Sequence, residues 1–392
     1  MSLDLLPQPT DEQRMMIDAL ARILDAESPL EAVREAAERS EPGRPELRRK
    51  LGDIGCFGLL VDESRGGGSA SENGVLDAVL VAAERGARLQ PGPYVGTHVT
   101  AHTLSRHAST ATSSSVHQPT LASLVCGETA ATWATDGLLG GEPVLSVRAD
   151  GDRLVVNGVL AAVQDADDSE HLLLSAPLKS PEPGVAHALI PLRDPRVRLA
   201  ERGAFDITRR FQDVHLDQLV LAPDTVLAAG EAGRALLDRQ IAVASVLAAA
   251  ESIGTMDSDL RLAVEYAKTR IAFGRPIGSF QAVKHLLADT GLALEMAKSL
   301  VVEAATAVGK EAGDSLVLAS AAKSFVGEKA VQLAHNCFQV FGGIGYTWEH
   351  DNHLFLRRLA SDAQLFGTPV WHQRLIWEKA SHTTRTKGRH HV

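Results

Sequence analysis

The chain has 392 residues, 45 % of them hydrophobic, which is enough for two or three domains around substantial cores and too apolar for a disordered or fibrous protein. Its formal net charge of −10 argues against nucleic acid as a partner, because phosphate binding rests on Lys and Arg. No apolar run approaches the roughly 18 residues that span a bilayer and no basic-then-apolar leader is present, so a cytoplasmic protein without a membrane span is expected.

In chain order, Thr10 followed by Gln13 reads as a capping box, and Met15, Met16, Ala19, Leu20, Ile23 and Leu24 continue it as a helical stripe. Cys56, Cys126 and Cys337 are few, far apart and odd in number, which offers neither a disulfide framework nor a zinc spacing; no metal site is expected. Pro45 opens a second helix through Leu47, Leu51 and Ile54, and after the Gly66-Gly67-Gly68 turn a further apolar-periodic run extends from Ser71 to about Gly86. Residues 105 to 119, with Ser113-Ser114-Ser115 and Pro119, read as a loop closing an N-terminal helical domain over 1–119. From 120 to 229 the pattern changes to short runs, Leu145 to Val147, Leu154 to Val156, Leu172 to Leu174 and Ala188 to Ile190, broken by Gly, Pro and Asp: a compact β domain. Beyond Gly230 the chain turns Ala- and Leu-rich at helical spacing, up to Tyr266, from about Gln281 to Val308 and from about Ser315 to Phe341, which predicts an antiparallel bundle over 230–382. Residues 383–392, basic from Arg385 to His391, read as a flexible tail.

Two segments carry chemistry: Arg270-Ile271-Ala272-Phe273-Gly274-Arg275-Pro276-Ile277 running into Phe280-Gln281, and Gln339-Val340-Phe341-Gly342-Gly343-Ile344-Gly345-Tyr346. Arg and side-chain-free backbone N–H groups are what a pyrophosphate needs. Taken alone, Arg270 could equally cap the carboxyl end of its helix and the glycines end another. With these motifs the sequence resembles the acyl-CoA dehydrogenase family over nearly its whole length. The resemblance implies an α+β fold of that kind: an N-terminal α-helical domain, a middle β-barrel-like domain and a C-terminal four-helix bundle. It implies FAD as cofactor, an acyl-CoA thioester as substrate and electron-transfer flavoprotein as electron acceptor. In that family the segments resembling Arg270, Phe273, Gln281, Gln339, Gly342 and Gly343 grip the pyrophosphate of the flavin bound to the neighbouring chain.

The same resemblance exposes losses. The family's Thr-Glu-Pro-Gly-Ala-Gly-Ser-Asp-like loop is placed at Gly127 to Trp133, keeping only Glu128, and its Trp-Ile-Thr strand at Ala162-Val163-Gln164, so a large ring-covering aromatic is absent unless Trp133 replaces it. The catalytic carboxylate falls on Gly367, and the alternative family position on Ala244, so no catalytic residue is assigned. Glu251, two helical turns beyond Ala244, is either a relocated base or a polar contact to a neighbouring helix, and about 10 Å of axial displacement favours the contact. Asp362 and His372 flank Gly367 and are expected to project elsewhere. What a chain gives its neighbour is kept while its own chemistry is altered, which resembles the non-catalytic member of a heterotetramer with a second acyl-CoA dehydrogenase-like subunit. A self-sufficient homotetramer using Glu251 and a flavin-free scaffold remain as alternatives.

Overall fold

The structure is a computed structural model that describes residues 2–6, 8–39, 43–107, 114–150, 153–178 and 184–388. The N-terminal part is helical: α1 (Asp11–Glu27), α2 (Leu30–Arg39), α3 (Pro45–Asp53), α4 (Gly74–Gly86), α5 (Tyr94–His107) and α6 (Ser114–Val125). The predicted capping box is formed, with Thr10 accepting from Gln13 N while the Gln13 side chain returns to Thr10 N. The loop expected over 105–119 is largely helix: α5 runs to His107 and α6 starts at Ser114, with residues 108–113 outside the described set. Pro119 lies inside α6 and removes one ladder bond, but Leu121 and Leu124 bury completely and hold the helix by packing.

The middle region carries β1 (Ala131–Thr135), β2 (Ser146–Asp150), β3 (Arg153–Gln164), β4 (His171–Leu178), β5 (Gly184–Pro191), β6 (Val197–Arg202), β7 (Phe211–Leu221) and β8 (Val226–Ala228). They form two four-stranded sheets, β1-β4-β5-β8 and β2-β3-β7-β6. Alternate residues of both, such as Leu172, Leu174 and Ile190 from one and Val156, Val214 and Leu216 from the other, meet in one apolar core, which is how the barrel-like closure is built.

The C-terminal part is α7 (Gly230–Thr269), a two-residue hairpin of β9 (Ile271–Ala272) and β10 (Arg275–Pro276), α8 (Gln281–Gly309), α9 (Ser315–Phe341), α10 (Asn352–Asp362) and α11 (Pro369–Gly388). α11 thus continues helically into the stretch expected to be tail. α7 is long and apolar enough to cross a bilayer by length and composition, but 94 % of that apolar window is buried inside the protein, where it is the bundle's central helix. Two glycines set how closely α4 and α7 cross: a Cβ on Gly254 would lie 1.8 Å from Ala83 O, and one on Gly86 2.0 Å from Glu251 O. Glu251 therefore sits at a close backbone contact between α4 and the bundle.

Candidate functional site

Because α7, α8 and α9 alternate in direction, the C-termini of α7 and α9 and the N-terminus of α8 share one end of the bundle. Tyr266 on the last turn of α7 packs on Phe341 at the end of α9, with ring centroids 5.2 Å apart, which ties the two motif segments together. At this end Arg270, Phe273, Gln281, Gln339 and Gly343 are all exposed and Gly342 is half-buried. Arg270 ends α7, its N–H bonding Tyr266 O and its carbonyl accepting from Ile277 N, while its guanidinium makes no ion pair among the described residues. The capping alternative for this side chain is thus not taken up.

Phe273 carries two costs at once. It is 95 % exposed, and with Gly274 it forms a two-residue hairpin turn in which both residues have positive φ, 52° and 75°. A bulky residue in the left-handed region and wholly in solvent marks a position held for something other than this chain's own stability. Gly342 has φ 63° and ψ −139°, a conformation open to glycine, and no atom lies within 4 Å of where a Cβ would be on Gly342 or Gly343, so this face is open. The N-terminus of α8 lacks a side-chain cap, leaving its first N–H groups and its positive dipole end free beside Gln281.

The opposite situation holds around Gly367. Its φ is 101°, and a Cβ there would lie 2.8 Å from both His372 Nε2 and Trp371 Cε3. His372 does not project elsewhere, as expected from sequence: it packs directly on Gly367, with Nε2 donating to Phe366 O at 3.1 Å. Burial and the Lys323 ammonium pull His372 down to about 3, so its ring is neutral. Lys323 Nζ, itself buried, donates to Asp362 O at 3.0 Å and Gly367 O at 3.3 Å and so clamps both ends of the turn between α10 and α11. Phe366, the residue before Gly367, lies parallel to Trp133 of β1, centroids 5.9 Å apart and 7° between planes. The volume beside the expected base position is therefore filled by rings.

The segment expected as a β-side loop is part turn and part strand. Residues 127–133 are a turn followed by the first three residues of β1, and Glu128 is an exposed turn residue. The loop after β1 runs Asp136-Gly137-Leu138-Leu139-Gly140-Gly141. Asp136, 1 % exposed, closes it by accepting from Val144 N and Leu145 N at 2.8 and 3.0 Å. Leu138 and Leu139 pack on the main core, as does Trp371, which lies 3.6 Å from the Cβ position of Gly140. Ala162 occupies an exposed bulge in β3 with φ 54°, where no large side chain covers anything, and Gln164 turns aside to donate to Asp165 Oδ2.

Glu251 is a polar contact and not a free base. Its carboxylate takes Arg358 Nη1 at 3.2 Å and Arg209 Nη2 at 3.0 Å, and it is 4 % exposed. Burial alone would raise it, but the Arg209, Arg358 and Arg85 guanidiniums outweigh burial and hold it below the usual carboxylate range. Arg358 continues to Asp206 Oδ2 at 2.9 Å and Arg209 to Asp362 Oδ1 at 2.6 Å, so one buried charge network joins the β domain's 206–209 loop, α7 and α10. Asp362 is thereby committed to the network. Ala244 is fully buried in the core. The polar contact of Glu251 was readable from its place in an apolar run, but its partners Arg209, Arg358 and Asp206 and the Trp133–Phe366 stack were not, because they lie far apart in the chain.

Residues 10–123 match the acyl-CoA dehydrogenase N-terminal domain and residues 231–380 the acyl-CoA dehydrogenase C-terminal domain. The chain is similar to acyl-CoA dehydrogenase IpdE2 of Mycobacterium tuberculosis, 32 % identical over 92 % of this chain and 95 % of that one. Among solved structures it is similar to a chain of the ChsE4–ChsE5 complex from Mycobacterium tuberculosis, with TM-score 0.82 and 25 % identity over 95 % of this chain and 98 % of that one. The butyryl-CoA dehydrogenase of Megasphaera elsdenii shares the fold, with TM-score 0.84 at 20 % identity over 95 % of this chain and 99 % of that one.

Proposed function

Since the chain belongs to the acyl-CoA dehydrogenase family, we propose that it is a subunit of an FAD-dependent enzyme desaturating an acyl-CoA thioester, gripping a cofactor seated on a second, related subunit and supplying no catalytic base itself. One observation carries this reading: the exposed, strained and unpaired groups gather at the bundle end, whereas the base position is a glycine enclosed by Trp371, His372 and the Lys323 clamp. The residues present fit the adenosine pyrophosphate part of FAD. Arg270 brings an unengaged guanidinium, α8 an uncapped N-terminus, Gln281 and Gln339 exposed amides, and Gly342-Gly343 an open backbone face. When bound, FAD supplies the hydride acceptor; this chain's part is to hold its phosphates and present Phe273 to the partner surface. A heteromeric assembly also agrees with the similarity to a chain of the ChsE4–ChsE5 complex, and electron-transfer flavoprotein is the proposed acceptor of the electrons.

The test is flavin retention. Charge-assisted bonds from a guanidinium are worth about 1.5–3 kcal/mol each, so in the assembled complex Arg270→Ala should weaken FAD binding at least about tenfold and Arg270→Lys less. Equilibrium dialysis at low free FAD reads this; unchanged occupancy in Arg270→Ala would overturn the trans-gripping role.

A further inference from the structure

The outer face of the β domain carries a groove of 490 Å³ whose lining residues all belong to β3, β7, β6 or the turn leading into β6. Strand register decides which side chains face it. Val197, Val214 and Leu216 pack into the domain core, so the residues between them turn outward: Arg198 lies directly opposite His215, and His215 opposite Val159. Asp217 N donates to Arg196 O at 3.0 Å, which continues the pairing and puts Arg196 opposite Asp217 on the same face. Residues two apart on a strand stand about 6.7 Å apart and directly paired ones about 5 Å, so the Arg196, Arg198 and His215 side chains can reach one small anion.

Arg196 and Arg198 are exposed, and neither guanidinium makes an ion pair or a hydrogen bond among the described residues. The acids nearby are accounted for. Asp213 is taken by Arg202 and Ala162 N, and Asp194 accepts from Arg196 N. Asp217 is the one carboxylate in the lining, so two positive charges face one negative charge on a chain whose net charge is −10. The strand β7 is bulged at this point: Asp217 and Gln218 together oppose Asn157, and Gln218 takes a φ of 46°. Gln218 N donates to Asn157 Oδ1 at 3.2 Å, which holds the bulge and leaves the Asn157 NH2 as a further donor. A bulge re-aims the side chain beside it, here Asp217, and its backbone strain persists only where the surroundings hold it.

From this arrangement we infer a binding site for the phosphate monoester of a small polyol, its phosphate on Arg196, Arg198 and His215 and a hydroxyl on Asp217. Guanidinium forks match phosphate oxygens, and a dianion needs both arginines, because either alone only balances Asp217. Asp217 in turn accepts from a hydroxyl, which a bare alkyl ester lacks. Val159, 38 % exposed, gives the carbon skeleton an apolar contact.

Glycerol 3-phosphate and propyl phosphate separate the two requirements, because the second carries the phosphate without the hydroxyls. With the full chain in its assembled complex at low ionic strength, isothermal titration calorimetry should show both binding, glycerol 3-phosphate the more tightly. Arg196→Ala and Arg198→Ala should each weaken both by about two- to fivefold, the range of exposed charge pairs, and the double variant should abolish binding. Asp217→Ala removes a like charge and the hydroxyl acceptor together, so it should tighten propyl phosphate and erase the preference for glycerol 3-phosphate. All three side chains are exposed, so these variants leave the core untouched. Binding of neither ester, binding that survives the double variant, or equal binding of the two esters to wild type overturns the inference. So does binding that is lost in Arg270→Ala and kept in the double variant, because the phosphate would then sit at the bundle end. The inference predicts the reverse and does not depend on the FAD reading.

Discussion

Placing the family's carboxylate into this chain, Gly367→Glu, asks whether the empty position is merely vacant or built closed. Gly367 has φ 101°, outside the left-handed region that other residues visit, which costs about 1–3 kcal/mol. Its Cβ would stand 2.8 Å from His372 Nε2 and Trp371 Cε3; His372 is fixed to Phe366 O, the Trp371 ring packs on the core, and Lys323 clamps Gly367 O so that the backbone cannot easily back away. Overpacking of this kind costs a further 1–3 kcal/mol or so. The total, roughly 2–6 kcal/mol, arises at the Cβ, so Gly367→Ala should lose nearly as much as Gly367→Glu. Denaturant unfolding of both variants against wild type measures the loss, and flavin bleaching by acyl-CoA should show no new activity in either. A Glu variant as stable as wild type, or one that bleaches flavin by itself, would refute the reasoning; so would a neutral Gly367→Ala, because the clash would then not be at the Cβ.

Other outcomes follow from the buried charges. Glu251→Gln takes one carboxylate from Arg209 and Arg358, which keep Asp362 and Asp206, and should destabilise by about 1–3 kcal/mol while leaving the bleaching rate per bound flavin unchanged; a fall of orders of magnitude in that rate with the fold intact would make Glu251 a base after all. For pH, burial lowers His98 and His372 to about 3 and His102 and His187 to about 4, below their unfolded value of 6.5, so their contribution is full above pH 6.5 and is lost as pH falls through the folded values. Asp168 and Asp362 are raised by burial to about 7 and about 6, so theirs is full below pH 3.8 and is lost as pH rises through those values. The histidine shifts thus make stability rise with pH between about pH 4.5 and 6, read by chemical denaturation of wild type against His98→Gln and His187→Gln, whose profiles should be less steep; variants with the wild-type profile would contradict the burial of the histidines.

What was legible in the sequence is what depends on local pattern. Helix α8 begins at Gln281 and α9 spans Ser315–Phe341 where periodicity put them, because long Ala- and Leu-rich runs ended by Gly leave few alternatives. Helix α6 was hidden by Pro119 and its serines, whose local preference was overridden by the burial of Leu121 and Leu124. Strand β1 was hidden within a stretch read as loop because its short, Ala- and Thr-rich sequence has no alternation to mark it. At the candidate site, the segments around Arg270 and Gln339 were readable as motifs, but the stack of Trp133 on Phe366 depends on a contact more than two hundred residues apart in sequence.

The central claim is that this chain completes a flavin site on another subunit and houses none of its own. Co-expression with a related chain that carries a carboxylate at the position of Gly367, followed by flavin content and mass of the purified assembly, tests it directly. The account predicts little or no flavin in the chain expressed alone and one FAD per pair of unlike chains in the complex. A stable homotetramer of this chain with one FAD per subunit would contradict it.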